Sequence, residues 1–464
     1  MMKNRRDFIK NSTFVSVGFL GLSNFFSNNL YSETKKANQF KIGYGQLLED
    51  PNGLLRLPKG FTYKIISIAG NKMDDGLLTP GKMDAMGTFI LDKDRCIIIR
   101  NHEMEPEWKN LGAFGNELKL LQNVDSKFFY DYGYGTNPGL GGTTTIIYNT
   151  KTQKKEKEFM SLIGTERNCA GGVSPWNSWI TCEETVNRKS EKLEQDHGYC
   201  FEVPANKDII KYEPIPLKSM GRFNHEAVSI DPKTGIVYLT EDRHDSCIYR
   251  FIPNEFGKLE KGGKLQALKT TQQFNLDSRN WLESNYNTPI RYEFSVEWID
   301  LDNVESPDDD LRMRAQEKGA AIFARGEGMW FGDNEIFWCC TNGGKSALGQ
   351  IFKYIPSKFE GTEKEKKYPA KLSLFVESNQ SDILQNCDNL TVSPWGDLVV
   401  CEDNEHPFLR GITPKGEIYN LAENIGADSE LAGAVFSPDG STLFVNIQHA
   451  GLTIAITGPW KKNA

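Results

Sequence analysis

Apolar residues along the chain gather in short runs of four or five, and six of these runs end in a polar, mostly acidic group. Three copies are Ile-Ile-Ile-Arg-Asn-His-Glu ending at Glu103, Trp-Ile-Thr-Cys-Glu-Glu ending at Glu184, and Val-Tyr-Leu-Thr-Glu-Asp ending at Asp242. The others are Ile-Phe-Trp-Cys-Cys-Thr-Asn ending at Asn342, Leu-Val-Val-Cys-Glu-Asp ending at Asp403, and Leu-Phe-Val-Asn-Ile-Gln-His ending at His449. The runs are short, rich in β-branched and aromatic residues, and bounded by turn residues, so they predict strands. A turn of Pro, Gly, Asp and Asn precedes each copy, as in Asp231-Pro232-Lys233-Thr234-Gly235 and Ser437-Pro438-Asp439-Gly440. Such residues preset or permit the backbone angles of hairpin turns.

Another apolar run lies before each turn and is itself headed by a polar residue: Cys169, Glu226, Glu327, Asp388 and Glu430, with Asp84 a weaker first member. Head and tail stay nearly in step. Cys169 and Glu183 are 14 positions apart, Glu226 and Glu241 are 15, and Asp388 and Glu402 are 14. In an antiparallel hairpin the start of one strand and the end of the next share an edge. Repeated β units that cannot bury their faces alone must stack, and radial stacking of six predicts an all-β, six-bladed propeller. The polar strand ends would then meet around one axis.

Third strands are predicted over 198–204, 246–253 and 349–356, and a fourth over 372–377. The repeats predict one domain over 40–464, interrupted by insertions at about 105–140 and 270–316. A helix is expected around Asn116–Asp125 in the first insertion and near Leu311–Gly319 in the second.

Net charge is −8, which argues against a nucleic-acid-binding role because phosphate backbones need basic patches. The start, Asn4-Arg5-Arg6-Asp7-Phe8-Ile9-Lys10 followed by a mildly apolar run from Phe14 to Phe26, resembles a twin-arginine export signal. It assigns residues 1–35 to a signal segment, predicts a periplasmic or secreted protein, and makes the twin-arginine translocase a partner. A monomer is expected. Nine cysteines are present, and those inside apolar runs, such as Cys96, Cys182 and Cys401, read as small buried hydrophobes. Cys169 differs, because it heads a strand and is followed by Ala170-Gly171-Gly172, where the backbone can approach something closely. A thiol facing a channel in an exported protein suggests a metal ligand.

The carboxylates expected on the shared face are Glu103, Glu183, Glu184, Glu226, Glu241, Asp242, Glu327, Glu402, Asp403 and Glu430. So many cannot converge without cations, because close like charges force protonation. Oxygen ligands suit Ca²⁺, and carboxylates with one thiolate also suit iron. No Cys-x-x-Cys or His-x-x-x-His pair supports a zinc site. His102 and His225 point opposite to Glu103 and Glu226 along extended strands, so they are expected between blades. Arg325, two residues before Glu327, is expected on the same face, where its fork suits a phosphate; Arg222 is a second candidate.

Taken together, Asn168-Cys169-Ala170-Gly171-Gly172, Cys182-Glu183-Glu184, Arg222-Phe223-x-His225-Glu226, Arg325-Gly326-Glu327-Gly328, Cys387-Asp388-Asn389-Leu390, Cys401-Glu402-Asp403 and Phe444-Val445-Asn446-Ile447-Gln448-His449 resemble the PhoX-type alkaline phosphatases. The resemblance runs from about Gly60 onward. It implies a six-bladed propeller with Fe³⁺ and Ca²⁺ on its axis, and a small phosphate ester as substrate. It implies that Cys169, Glu226 and Glu327 lie on the iron side, with Cys169, Glu327 and Arg325 catalytic. It also implies that Arg325 binds substrate phosphate and that Glu103, Glu183, Glu184, Glu241, Asp242, Glu402 and Asp403 hold the remaining metals. The expected function is an exported phosphate-monoester hydrolase. The alternatives are a calcium-dependent propeller lactonase or esterase, which leaves Cys169 and Arg325 without roles, and a non-catalytic propeller braced by calcium.

Overall fold

The computed structural model describes residues 42–284 and 286–461. The twin-arginine reading of Arg5 and Arg6 falls outside them. Among the described residues the fold is all-β and propeller-like, with one short α-helix.

Each repeat begins with an inner strand that pairs antiparallel with the acidic-ended strand after it. The six inner strands are Met83–Ile90, Asn168–Val173, His225–Ile230, Gly326–Phe331, Cys387–Val392 and Leu431–Phe436. Each packs against the next in that order, and the last packs against the first, so they close a ring. Antiparallel sheets of three, four, four, six and nine strands radiate outward. Aromatic residues such as Trp179, Trp338 and Phe352 fill the space between them.

The expected six separate sheets appear as five hydrogen-bonded ones. Strand Phe294–Asp300, inside the stretch expected to be an insertion, pairs with Gly263–Thr270 on one side and Ala370–Glu377 on the other. It thereby fuses two four-stranded sets into one nine-stranded sheet. Both sets would otherwise present unpaired edge N–H and C=O groups, and the extra strand satisfies them. A second strand not expected from the pattern, Thr62–Ile68, pairs with Leu452–Thr457 and completes the last sheet from the start of the chain. The ring is therefore latched by pairing between its two ends.

The helix near Leu311 is present as Leu311–Glu317. The helix expected around Asn116–Asp125 is absent; short 3₁₀ turns at Asn116–Leu118 and Leu121–Asn123 replace it. Glu117 and Leu118 adopt φ of 56° and 57°, in the left-handed region that no α-helix continues through.

All six inner hairpins are irregular at the same place. Register slips between Met83 and Met86, Asn168 and Gly171, His225 and Val228, Gly326 and Met329, Cys387 and Leu390, and Ala432 and Val435. A β-bulge frees residues from the ladder and re-aims their side chains. The glycines just beyond serve close approach of strand to strand. A Cβ on Gly172 would meet Val228 O of the next inner strand at 2.1 Å, and one on Gly328 would meet Asn389 Cα at 2.6 Å. Of the glycines after Cys169, Gly172 thus makes room for the neighbouring inner strand, and Gly171 for Ile180 O of its own hairpin, 2.0 Å from where its Cβ would lie.

Candidate metal centre

The bulges explain which side chains reach the axis. The first residue freed in five of the six is Asp84, Cys169, Glu226, Glu327 or Asp388, and all five line one cavity of about 520 Å³. The second strand of five of the six hairpins contributes the residue just past its last paired position; in the fourth that residue is Thr341, which does not line the cavity. That rule gives Glu103, Glu184, Asp242, Asp403 and Gln448, and these line the same cavity, as does Glu430 at the start of the sixth repeat.

Strand alternation fixes the fate of each double acid. Where two acids are adjacent, the first is paired in the ladder and its side chain points away from the axis. Glu183, Glu241 and Glu402, expected as metal ligands, are therefore corrected to structural acids, and all three are fully buried. Glu183 accepts from His197 Nδ1 at 2.7 Å and from Gly198 N at 2.9 Å. Glu241 accepts from Tyr249 Oη at 2.8 Å and Cys247 N at 3.3 Å. Glu402 accepts from Arg410 Nε at 2.7 Å and Phe408 N at 3.0 Å. Each ties its hairpin end to the start of the next strand in its own sheet, so the three share one bracing role.

Arg222 is corrected as well. Its Nε donates to His197 O at 2.7 Å and its Nη1 to Ser306 O at 3.2 Å, while Nη2 donates to Val186 O and Asn187 O. A guanidinium spent on backbone carbonyls and 2% exposed cannot receive a phosphate. His102 and His225 lie buried away from the cavity, as the alternation predicts. His102 meets Gly81 O and Thr144 Oγ1, and His225 stacks on Phe223 with centroids 3.6 Å apart.

At the centre of the cavity two triads meet. Ligand atoms of Cys169, Glu184 and Glu226 lie within 4.8 Å of one another, and so do those of Glu226, Glu327 and Asp388. Glu226 belongs to both, so one carboxylate can bridge two cations. Burial first, and then the neighbouring carboxylates, push Glu226, Glu184, Asp388, Asp84 and Glu430 well above the usual carboxylate range. Glu327 rises to about 8 by burial and then by Asp242. Burial and then Glu226 raise the Cys169 thiol. Six crowded acids that resist ionising together are a site short of positive charge. Cations meet that need, and the donor set fits them: one soft thiol among carboxylates suits iron, and the all-oxygen remainder suits calcium.

Two arginines supply part of the missing charge. Arg325 Nε and Nη2 grip Asp242 at 2.8 and 3.0 Å, and Nη2 also reaches Glu327 Oε1 at 2.8 Å. Arg167 Nη2 bridges Glu103 Oε1 at 2.8 Å and Glu184 Oε2 at 2.6 Å. Glu327 and Asp242 hold Arg325 firmly in its charged form. Burial opposes the charge of Arg167, but Glu184 and Glu103 outweigh it and raise its pKa. Arg325 does not reach the axis through extended backbone; its φ is 51°, a strained left-handed conformation, and Arg167 matches it at 46°.

Arg167 was not singled out from sequence, although a signal exists. It stands two residues before Cys169, as Arg325 stands two before Glu327. Asp84 and Asp388, expected only as strand heads, join the cavity lining, together with Asn224, His244 and Gln448.

A protein-family model described as alkaline phosphatase PhoX matches residues 42–451. No curated protein matches the chain. Among solved structures, a gluconolactonase from Xanthomonas campestris is 10% identical over 87% of this chain and 97% of its own, with a TM-score of 0.40. The β-propeller domain of Cps50 (Swd1) from Myceliophteria thermophila is 8% identical over 86% of this chain and 100% of its own, with a TM-score of 0.40. A luciferin-regenerating enzyme is 8% identical over 87% of this chain and 98% of its own, with a TM-score of 0.41. Likenesses this weak carry no functional conclusion.

Proposed function

Because the chain belongs to the PhoX alkaline phosphatase family, we propose that it is a metal-dependent phosphomonoesterase built as a six-bladed propeller, with iron and calcium on its axis. The blade count treats the nine-stranded sheet as two blades, and the closed ring of six inner strands supports it. The observation that carries the functional reading is the pair of triads sharing Glu226, with a thiol in one and an arginine fork beside each.

Cys169, Glu184 and Glu226 would hold iron, and Glu327 and Asp388 would complete a second position through Glu226. Asp84, Glu103, Asp242, Asp403 and Glu430 are hard donors suited to calcium. Bound cations would supply Lewis acidity toward a phosphoryl oxygen. The chain's own contribution is electrostatic and geometric. The acids fix where positive charge resides. Arg325, clamped by Asp242 through two parallel N–H···O bonds, is held in one orientation. Its Nη1 has no hydrogen-bond partner among the described residues, so it retains a donor for a phosphate oxygen. A cation arranged before the reaction stabilises charge without reorganising during it.

The proposal is tested by assaying the purified, metal-replete protein on a simple aryl phosphate and on a lactone. Phosphate release without lactone opening is the expected result. Lactone opening with no phosphate release would overturn the proposal.

A further inference from the structure

Arg167 and Arg325 are built alike. Each lies two residues before an axial side chain, Cys169 or Glu327, and each has a left-handed backbone, φ 46° and 51°. Each spends one nitrogen, Nη2, on two cavity carboxylates. Each is about one-third exposed, at 33% and 30%. They also hold different members of the acid cluster. Arg167 grips Glu184, a member of the triad with Cys169, and Arg325 grips Glu327, a member of the triad with Asp388, while Glu226 lies between. Arg167 keeps donors in reserve. Its Nε makes no hydrogen bond and lies 4.0 Å from Glu105 Oε1, and its Nη1 has no hydrogen-bond partner among the described residues.

A third guanidinium lines the cavity, that of Arg243, but its Nη2 turns to Asp309 at 3.1 Å, an acid outside the lining. Among the described residues, Arg167 and Arg325 are the arginines that grip cavity carboxylates.

We propose that Arg167 is a second phosphate-binding fork and that it sets a preference for phosphate monoesters over diesters. This rests on the phosphatase reading above and goes beyond it. A monoester at alkaline pH carries two negative charges and three terminal oxygens. A diester carries one charge and two such oxygens. A site with one fork can serve either ester. A second fork adds a charge-assisted contact that only the third oxygen and second charge repay. If cations neutralise Glu184 and Glu103, the grip of those acids on Arg167 weakens and the guanidinium becomes available to the substrate.

The test uses metal-replete wild-type, Arg167→Ala and Arg167→Lys proteins, each first checked for metal content. Two readouts are taken. The first is kcat/KM for an aryl phosphate and for the matching bis-aryl phosphate. The second is calorimetric binding of inorganic phosphate and of dimethyl phosphate, which needs no turnover. Arg167→Ala is expected to lower the monoester-to-diester ratio roughly tenfold or more, the size of one charge-assisted hydrogen bond. Phosphate affinity should fall by a similar factor while dimethyl phosphate affinity changes little, and Arg167→Lys should recover part of both. Equal losses on the two esters and the two anions would overturn the proposal, as would loss of bound metal, which would make Arg167 a support that positions Glu103 and Glu184. If the wild type cleaves neither ester, the phosphatase reading fails, and the binding measurement alone then decides the role of Arg167.

Discussion

Replacing Arg325 with alanine is expected to lower kcat/KM for an aryl phosphate by roughly 10²-fold or more, the usual effect of removing one preorganised electrostatic stabiliser. The expectation follows from geometry. Asp242 clamps the guanidinium from one side and Glu327 holds it from another, so its position is fixed before substrate arrives. Arg325→Lys should rescue only partly, because an ammonium is a point charge and cannot reproduce the paired contact with Asp242. Metal content should persist in both variants. The melting temperature should change little, since Arg325 is partly exposed and its left-handed backbone already carries strain. Full phosphatase activity in Arg325→Ala would remove this residue from the mechanism.

Cys169→Ser is expected to act earlier, on the cation itself. Cys169 is 4% exposed, and its ligand atom lies within 4.8 Å of those of Glu184 and Glu226. A hydroxyl occupies nearly the same space, so the bulge and the surrounding strands should fold unchanged. It does not ionise to replace a thiolate, and iron affinity depends on that soft, anionic donor. The variant should therefore fold, lose iron and any thiolate-to-iron colour, and lose activity with it. A folded Cys169→Ser protein that kept its iron would show that the thiol is only a packed side chain.

The sequence reveals the repeat but not the finer geometry that selects among its acids. The spacing of heads and tails brings Cys169, Glu226, Glu327 and Asp388 to one axis because a hairpin returns to its own edge. Extended-strand reasoning also places His102 and His225 away from the cavity. It does not separate Glu183 from Glu184, Glu241 from Asp242, or Glu402 from Asp403. That choice depends on the last pair of each ladder, Asn168 with Glu183, His225 with Glu241 and Cys387 with Glu402, and each of these forms beyond a bulge that leaves no mark in the apolar pattern. Arg222 and Arg167 show the same limit. Arg222 lies four residues before Glu226 and turns into backbone carbonyls, whereas Arg167 keeps the two-residue offset shared with Arg325 and lines the cavity. The strand Phe294–Asp300 joins two sheet edges and buries Phe294 and Val296 in the core, but its short alternation stands alone, without the hairpin partner and turn that mark the other strands. Thr62–Ile68 pairs with a strand nearly 400 residues away, a contact no local pattern encodes.

The central claim is that the crowded acids around Glu226 exist to hold cations for phosphate chemistry. Elemental analysis of the protein purified without chelator, combined with aryl phosphatase activity before and after chelation, tests it most directly. Iron and calcium should copurify with the protein, chelation should remove activity, and restoring both metals should return it. A protein that carries neither metal, or that hydrolyses aryl phosphate unchanged after both are stripped, would contradict the account.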